Sequence, residues 1–305
     1  MKRSICPIIV LFFITNIAYA ADLKSTANDL KLTAKNNVSS KIAEITDNFV
    51  KSTSEYMSSF DRIKYFDLSV DLREHLKPSI VIKSVNKISE DSDSAFFNQT
   101  NFTSHDGDAT FNFGLGKRKL LYNDLVMLGS NIFFDYQFDE NHFRNGFGLE
   151  AISSVFDLRG NYYNALSSTK TTDEGTEKAL DGHDLQMDYH VPGKHNTAVY
   201  LNTFRWKNSS SDFKEEGQKY GITSQIGYLH FEGGYLNDNK NNDSYFGSVK
   251  LVIPLGNTTT KTLEKVQRKT FEYVSVRDKL YIPVKRENKI KVVKISKSGV
   301  KVSGF

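Results

Sequence analysis

Two alternating runs joined by a short turn constrain this chain more than any other feature. In residues 127–138, MLGSNIFFDYQF, the even positions Leu128, Ile132, Phe134, Tyr136 and Phe138 are apolar, while Asn131, Asp135 and Gln137 fall on odd ones. A period of two marks a β-strand, because successive side chains point to opposite faces. After a polar turn at 139–141, Phe143, Phe147, Leu149 and Ala151 share one face, and Arg144, Gly146, Gly148 and Glu150 share the other. A half-buried sheet of a soluble sandwich alternates too, so strand length and the character of the polar face have to decide. Each run spans about ten residues, the length a tilted strand needs to cross a bilayer, against about five or six in soluble sheets. One face is aromatic and apolar; the other carries charges and glycines, as a lumen lined by polar groups requires.

The first twenty residues, MKRSICPIIVLFFITNIAYA, combine a basic start at Lys2 and Arg3, an apolar run from Ile8 to Phe13 and small residues before Ala20. They read as a secretory signal peptide at 1–20, with an apolar run too short for a spanning helix. The single cysteine, Cys6, lies inside it, so no disulfide or zinc–thiolate chemistry is expected beyond it. With 22 Phe and 15 Tyr in a chain whose mean hydropathy is -0.44, a barrel with one apolar face fits better than a bundle of apolar helices. Charge is uneven. Residues 259–305 carry 13 Lys or Arg against 4 Asp or Glu, a net +9, and the signal adds +2 to a whole-chain total of +4. The body at 21–257 is therefore about -7: a basic tail follows an acidic body.

Residues 21–60 place Leu23, Ala27, Leu30, Ala34, Val38, Ile42, Ile45 and Phe49 three or four apart, which predicts a thinly amphipathic helix. From Phe66 the chain reads as strands separated by Asn, Asp, Gly and Ser clusters. They fall at 66–72, 79–86, 95–104, 108–119, 125–138, 142–153, 155–167, 181–191, 196–206, 218–228, 229–237 and 243–254. That even set of about twelve suits a closed antiparallel barrel across 61–257. The alternation assigns Arg118, Asn131, Asp135, Arg144, Glu150, Asp157 and Arg159 to the lumen, most of them as paired opposite charges. The polar stretch STKTTDEGTEKALD reads as a long solvated loop at one mouth, and Tyr122, Tyr136, Tyr228 and Tyr245 as interface-girdle residues. Beyond Gly256 the alternation stops. Residues 258–305 form a helical or irregular stretch and then a basic extended one, which predicts a lumen-threading tail in which 259–286 fills the pore.

Other chemistry is weak. GLGKR lacks a third glycine and a following helix, so no dinucleotide fold is expected. A hydrolase would need Ser, His and an orienting polar group brought together, with His183, Asp184 and His190 as the available candidates, and no spacing enforces that arrangement. The basic tail lacks aromatics interleaved for base stacking, so no nucleic-acid partner is expected. The lumen charges would also serve a small channel or porin. No catalytic residue, cofactor or metal is assigned.

FNFGLGKRKLL, MLGSNIFFDYQF and HFRNGFGLE together resemble the strand block of the inverse autotransporters, the outer-membrane β-domains of intimin and invasin. The matching residues are Gly114, Gly116 and Arg118; Met127, Leu128, Gly129, Asn131, Phe133 and Asp135; and Arg144, Gly146, Gly148 and Glu150. PVKRENKIKVVK at 283–294 occupies the place of the family's linker, giving Pro283, Arg286, Glu287 and Asn288 as linker-motif residues. The resemblance implies a non-enzymatic type V secretion barrel in a Gram-negative outer membrane, with a periplasmic N-terminal segment and a C-terminus at the cell surface. It implies as partners outer-membrane lipid and lipopolysaccharide, periplasmic chaperones, the barrel-assembly machinery and, through a passenger, a host-cell receptor for adhesion. An immunoglobulin-like passenger needs about 100 residues, whereas 49 follow Gly256. The expectation is a translocator and anchor whose passenger is almost absent.

Overall fold

The computed structural model describes residues 62–303 apart from 74–78, 106–107, 173–174, 194–195, 209–211, 227–228, 241–243, 255–271 and 297–298. The expected signal peptide at 1–20 and helix at 21–60 lie outside the described residues.

Sixteen strands occur among the described residues: β1 (Ile63–Arg73), β2 (Ser79–Glu90), β3 (Ser94–His105), β4 (Asp108–Leu121), β5 (Val126–Gln137), β6 (His142–Ser153), β7 (Phe156–Ala165), β8 (Lys170–Thr172), β9 (Gly175–Ala179), β10 (Asp181–Val191), β11 (Asn196–Lys207), β12 (Lys214–Ile226), β13 (Leu229–Asp238), β14 (Ser244–Pro254), β15 (Val292–Ser296) and β16 (Gly299–Ser303). Twelve of them, all but β8, β9, β15 and β16, form a closed barrel in which each pairs antiparallel with its neighbours. β1 closes the ring on β14 over seven pairs from Asp67↔Pro254 to Arg73↔Ser248. Closure leaves no barrel strand with an unpaired edge, the condition for a sheet surrounded by hydrocarbon.

The strands fall within a few residues of the sequence expectation, and the reason is visible in their burial. β5 and β6 alternate almost without exception between exposed and buried residues. Phe134 and Leu149 face outward at 52% and 55% exposure, while Asp135 and Arg144 face inward at 1% each. The outward set continues around the barrel through Phe156, Leu158, Tyr162, Leu185, Met187, Val199, Tyr220 and Ile222. An inverted protein of this kind, apolar outside and charged inside, is stable only where its surroundings are apolar. The barrel strands run from 10 residues in β7 to 14 in β4. At about 3.4 Å per residue and a tilt near 40°, twelve residues cover about 30 Å, the thickness of a hydrocarbon core.

An even strand number sends both ends of the barrel segment to one rim. Ile63 and Pro254 share it with the short turns after β2, β4 and β6. In the turn after β4, Tyr122, Asn123 and Asp124 adopt left-handed φ values of 54°, 55° and 66°. The opposite rim carries the long connection from β7 to β10, which holds the β8–β9 hairpin. Of the expected girdle residues, Tyr122 and Tyr245 are 76% and 88% exposed, and the Tyr136 hydroxyl donates to Asn141 beside it. Tyr228 lies outside the described residues.

The inside-out pattern predicts that an arginine on the outer face is costly at mid-depth and tolerated near the rim. Phe147→Arg, at mid-strand on the outer face, is expected to cost about 2–4 kcal/mol and to lower the temperature at which the folded band disappears in heat-modifiability gels. Replacing the outward Lys119 near the rim with Arg should leave that temperature unchanged. A Phe147→Arg barrel as heat-resistant as the parent would contradict a lipid-facing outer surface.

Candidate functional site: a tail held in the barrel lumen

The residues aimed into the barrel are not facing water alone; the chain's own tail runs between them. At the turn rim, Val276 N–H donates to Asp124 O at 2.8 Å, and Ser154 Oγ donates to Glu272 O and accepts from Val274 N–H. Arg277 grips Asp124 through Nε at 2.8 Å and Nη2 at 3.1 Å, and donates to Ser92 O. From Glu272 to Lys291 the tail is irregular apart from one 3₁₀ turn, Arg277–Lys279. Val276, Leu280, Tyr281 and Val284 then pack on Val85, Ala95, Phe97, Leu120, Met127, Phe133 and Ile152, giving the lower lumen an apolar core.

Above this core the wall holds the tail by its backbone. Arg118 donates from Nη1 to the carbonyls of Leu280 (2.8 Å) and Ile282 (2.6 Å), while its Nε pairs with Glu150 at 2.6 Å. Gln99 Oε1 accepts from Val284 N–H at 2.7 Å. Asn161, Arg144 and Asn112 donate to the carbonyls of Lys285, Glu287 and Asn288. Tyr163 Oη accepts from Glu287 N–H and donates to Asp184. Bonds to main-chain groups carry little sequence information, so this wall accepts an extended chain largely regardless of its side chains.

Inside the lumen the most buried side-chain grip on the tail is that on Arg286. Arg286 forms a two-pronged pair with Asp135 at 2.8 and 2.7 Å, its guanidinium lying 4.4 Å from the centre of the Phe133 ring. Asp135 also takes Arg144 Nε at 2.8 Å and Asn112 Nδ2 at 2.8 Å, and its side chain is fully buried. The geometry depends on glycines across the sheet. Arg118, Gly129 and Glu150 sit in one row of β4, β5 and β6, and Arg118 meets Glu150 over the glycine between them. A Cβ at Gly129 would lie 2.5 Å from Glu150 Oε1. Phe133 occupies the same kind of gap, with a Cβ at Gly114 falling 2.4 Å from its ring.

The structure thus brings together Arg118 with Glu150, Arg144 with Asp135, and Arg159 with Asp157 at 2.8 Å. Asn131 faces inward against Gly148. Of the linker residues, Arg286, Glu287 and Asn288 bond to the wall, and Pro283 is half-buried, flanked in the chain by Tyr281 and Val284 of the apolar core. The expected lumen stretch 259–286 is met over 276–286, and the wall contacts run on to 291; residues 255–271 lie outside the described set. The extension past 286 follows from Arg286, which centres the contacts on itself. The candidate hydrolase residues do not assemble: His183 points outward, Asp184 inward to Tyr163 and Asn161, and His190 bonds to Asp157 at 2.8 Å near the other rim.

Sequence reasoning missed Gln99, Asn101, Asn112 and Tyr163, although each holds an inward position of an alternating strand. It also missed Asp188, which takes Arg159 at 2.7 Å and Lys285 at 2.8 Å. The loop expected to be solvated instead buries Glu177 at 1% exposure, with His142 Nε2 at 3.2 Å and Lys294 Nζ at 2.8 Å. Burial by itself pushes the Glu177 carboxyl up, but the bonds from His142 and Lys294 outweigh it and hold it below the ordinary value.

The glycine rows give a direct check. Gly129→Val pushes Glu150 off Arg118 and is expected to cost about 1–3 kcal/mol of barrel stability, whereas Gly193→Val, where a Cβ meets nothing within 4 Å, should cost little. Equal heat-modifiability midpoints for the two variants would show that the Arg118–Glu150 row is not needed.

The family model of the inverse autotransporter beta-domain matches residues 16–288. No curated protein matches the sequence. Among solved structures, one described as "Unveiling the Mechanism Behind the in-meso Crystallization of Membrane Proteins" is 19% identical with a TM-score of 0.62, covering 78% of this chain and 100% of its own. The beta domain of the Bordetella autotransporter Brka is 9% identical with a TM-score of 0.34, over 63% of this chain and 99% of its own. KdgM porin is 7% identical with a TM-score of 0.38, over 61% and 98%. The first of these shares the fold, and the family match spans most of the chain, strands and lumen tail alike. The chain belongs to the inverse autotransporter beta-domain family.

Proposed function

We propose that this outer-membrane translocator barrel exports its own C-terminal segment and then retains it as a plug that anchors whatever the segment displays. The observation that carries the reading is the path of the tail: it enters at the rim shared by both ends of the barrel segment, runs through 280–291 in the lumen, and emerges at the rim of the β7–β10 connection. A wall that grips backbone carbonyls suits passage of varied sequence. The Arg286–Asp135 pair supplies a stop, because sliding the tail by one or a few residues takes the guanidinium out from between Asp135 and Phe133.

In this reading residues 1–20 direct export, 21–60 stay in the periplasm, and periplasmic chaperones and the barrel-assembly machinery insert the barrel among outer-membrane lipid and lipopolysaccharide. The C-terminus stands at the cell surface. Adhesion in the manner of intimin and invasin would belong to a passenger that recognises a host receptor, and the barrel's own part is non-enzymatic. One observation favours a second role as a small channel. Beside the tail a polar cavity of about 280 Å³ runs between the Trp206 and Arg159 levels, lined by Tyr200, Asn202, Lys219, Glu232 and Lys250.

Topology is the test. An epitope tag after Phe305 should be reached by antibody on intact cells. A tag reached only after the outer membrane is permeabilised would overturn the export reading and shift weight to a channel with a periplasmic tail.

A further inference from the structure

The emerging tail does not simply leave the lumen. β15 pairs antiparallel with β9 over five residues, from Val292↔Ala179 to Ser296↔Gly175, and β16 folds back on β15. The result is a four-stranded sheet in the order β16-β15-β9-β8, built half from the tail and half from the β7–β10 connection. Neither half is a stable unit by itself. β8 and β9 share three pairs, Lys170↔Glu177, Thr171↔Thr176 and Thr172↔Gly175, and isolated two-stranded hairpins are marginal in water.

The joint between the halves is specific as well as hydrogen-bonded. Glu177 faces Lys294 directly across the pair, at 2.8 Å, and takes His142 at the first position of β6 at 3.2 Å. Barrel wall, connection and tail therefore converge on one buried carboxylate. Ile290 and Val292 pack with Ala179, and Val293 joins Leu180, Tyr163, Phe204 and Trp206. The Leu180 N–H donates to Lys291 O at 2.9 Å, continuing the lumen grip into the sheet. A slip of one residue would turn Lys294 to the other face and set Val293 or Ile295 against Glu177, so the charge pair selects a single register.

We propose that the β8–β9 hairpin is a capture site for the emerging tail, which docks on its free edge as an added strand with Glu177 reading Lys294. The proposal rests on the export reading above. Docking makes backward sliding cost the strand pairs and the apolar contacts, so the segment is biased outward without any other energy source. The hairpin and the tail fold on each other, which also explains how so polar a connection can hold order at the mouth.

The test is the rate at which a tag after Phe305 becomes reachable on intact cells, measured for the full chain with Glu177→Lys, with Lys294→Glu and with both. Folded barrel is scored in parallel by gel mobility without heating. Each single reversal is expected to slow surface appearance severalfold at equal folded barrel, and the double reversal to recover most of the parental rate. Single variants with the parental rate, or a double variant no better than either single, would overturn capture while leaving export intact. A parental tag that never reaches the surface would remove the export reading and capture with it. A second measurement covers variants that fail to fold. Thr176 and Ile295 are register partners, and the chain's one native cysteine is Cys6. Thr176→Cys with Ile295→Cys should therefore form an intramolecular disulfide under mild oxidant in intact cells. Its absence would overturn the docked sheet.

Discussion

The structure depends on a carboxylate that is buried with two guanidinium groups. Asp135 sits on β5 facing the lumen, paired with Arg144 of the adjacent strand and with Arg286 of the tail. Burying three charges costs several kcal/mol per ion before their attraction is counted, so such a cluster contributes little net stability compared with an apolar replacement. What it contributes is uniqueness. With Arg286 absent, Asp135 still has Arg144 as its partner. With Arg286 present, the tail has one position in which its cation is satisfied, and every backbone bond from Arg118, Gln99, Asn112 and Tyr163 then falls into place.

Room for that arrangement comes from residues that have no side chain. In a twelve-stranded barrel the inward positions crowd, and a tail leaves less space still. Gly114, Gly116 and Gly129 let Phe133, Phe97 and Glu150 lie flat across neighbouring strands. Those flattened side chains in turn present what the tail needs: Phe97 under Arg118 at 4.7 Å and Phe133 under Arg286 at 4.4 Å. Both cations are thus held by a ring face and a carboxylate together, and Arg118 keeps Nη1 to reach the tail's carbonyls.

Much of this was legible in the sequence because a lipid-facing barrel enforces a strict rule: every second residue must be apolar, so the remaining residues announce the lumen. That rule placed the twelve barrel strands and set Arg118, Asp135, Arg144, Glu150, Asp157 and Arg159 inward before any coordinates. It could not say which inward polar residues meet the tail, since Gln99, Asn112 and Tyr163 look alike whether they face water or a chain. The tail's contacts run past the expected 286 to 291, because charge count alone does not distinguish Arg286 from the other basic residues around it. The β8–β9 hairpin was read as a solvated loop for a physical reason: Glu177 is buried where His142 and Lys294, both distant along the chain, pair with it. Local composition carries no trace of so distant a partner.

Pore conductance in planar bilayers, compared between the full chain and one lacking residues 272–305, tests the central claim most directly. With the tail in place, its apolar turn-rim core and the Asp135–Arg286 cluster should leave only a small current. Removing it should raise the single-pore conductance severalfold by opening the lumen lined by Arg118, Asp135, Arg144 and Glu150. Equal conductance with and without the tail would contradict the account, because a segment that fills the lumen cannot be deleted without enlarging the path for ions.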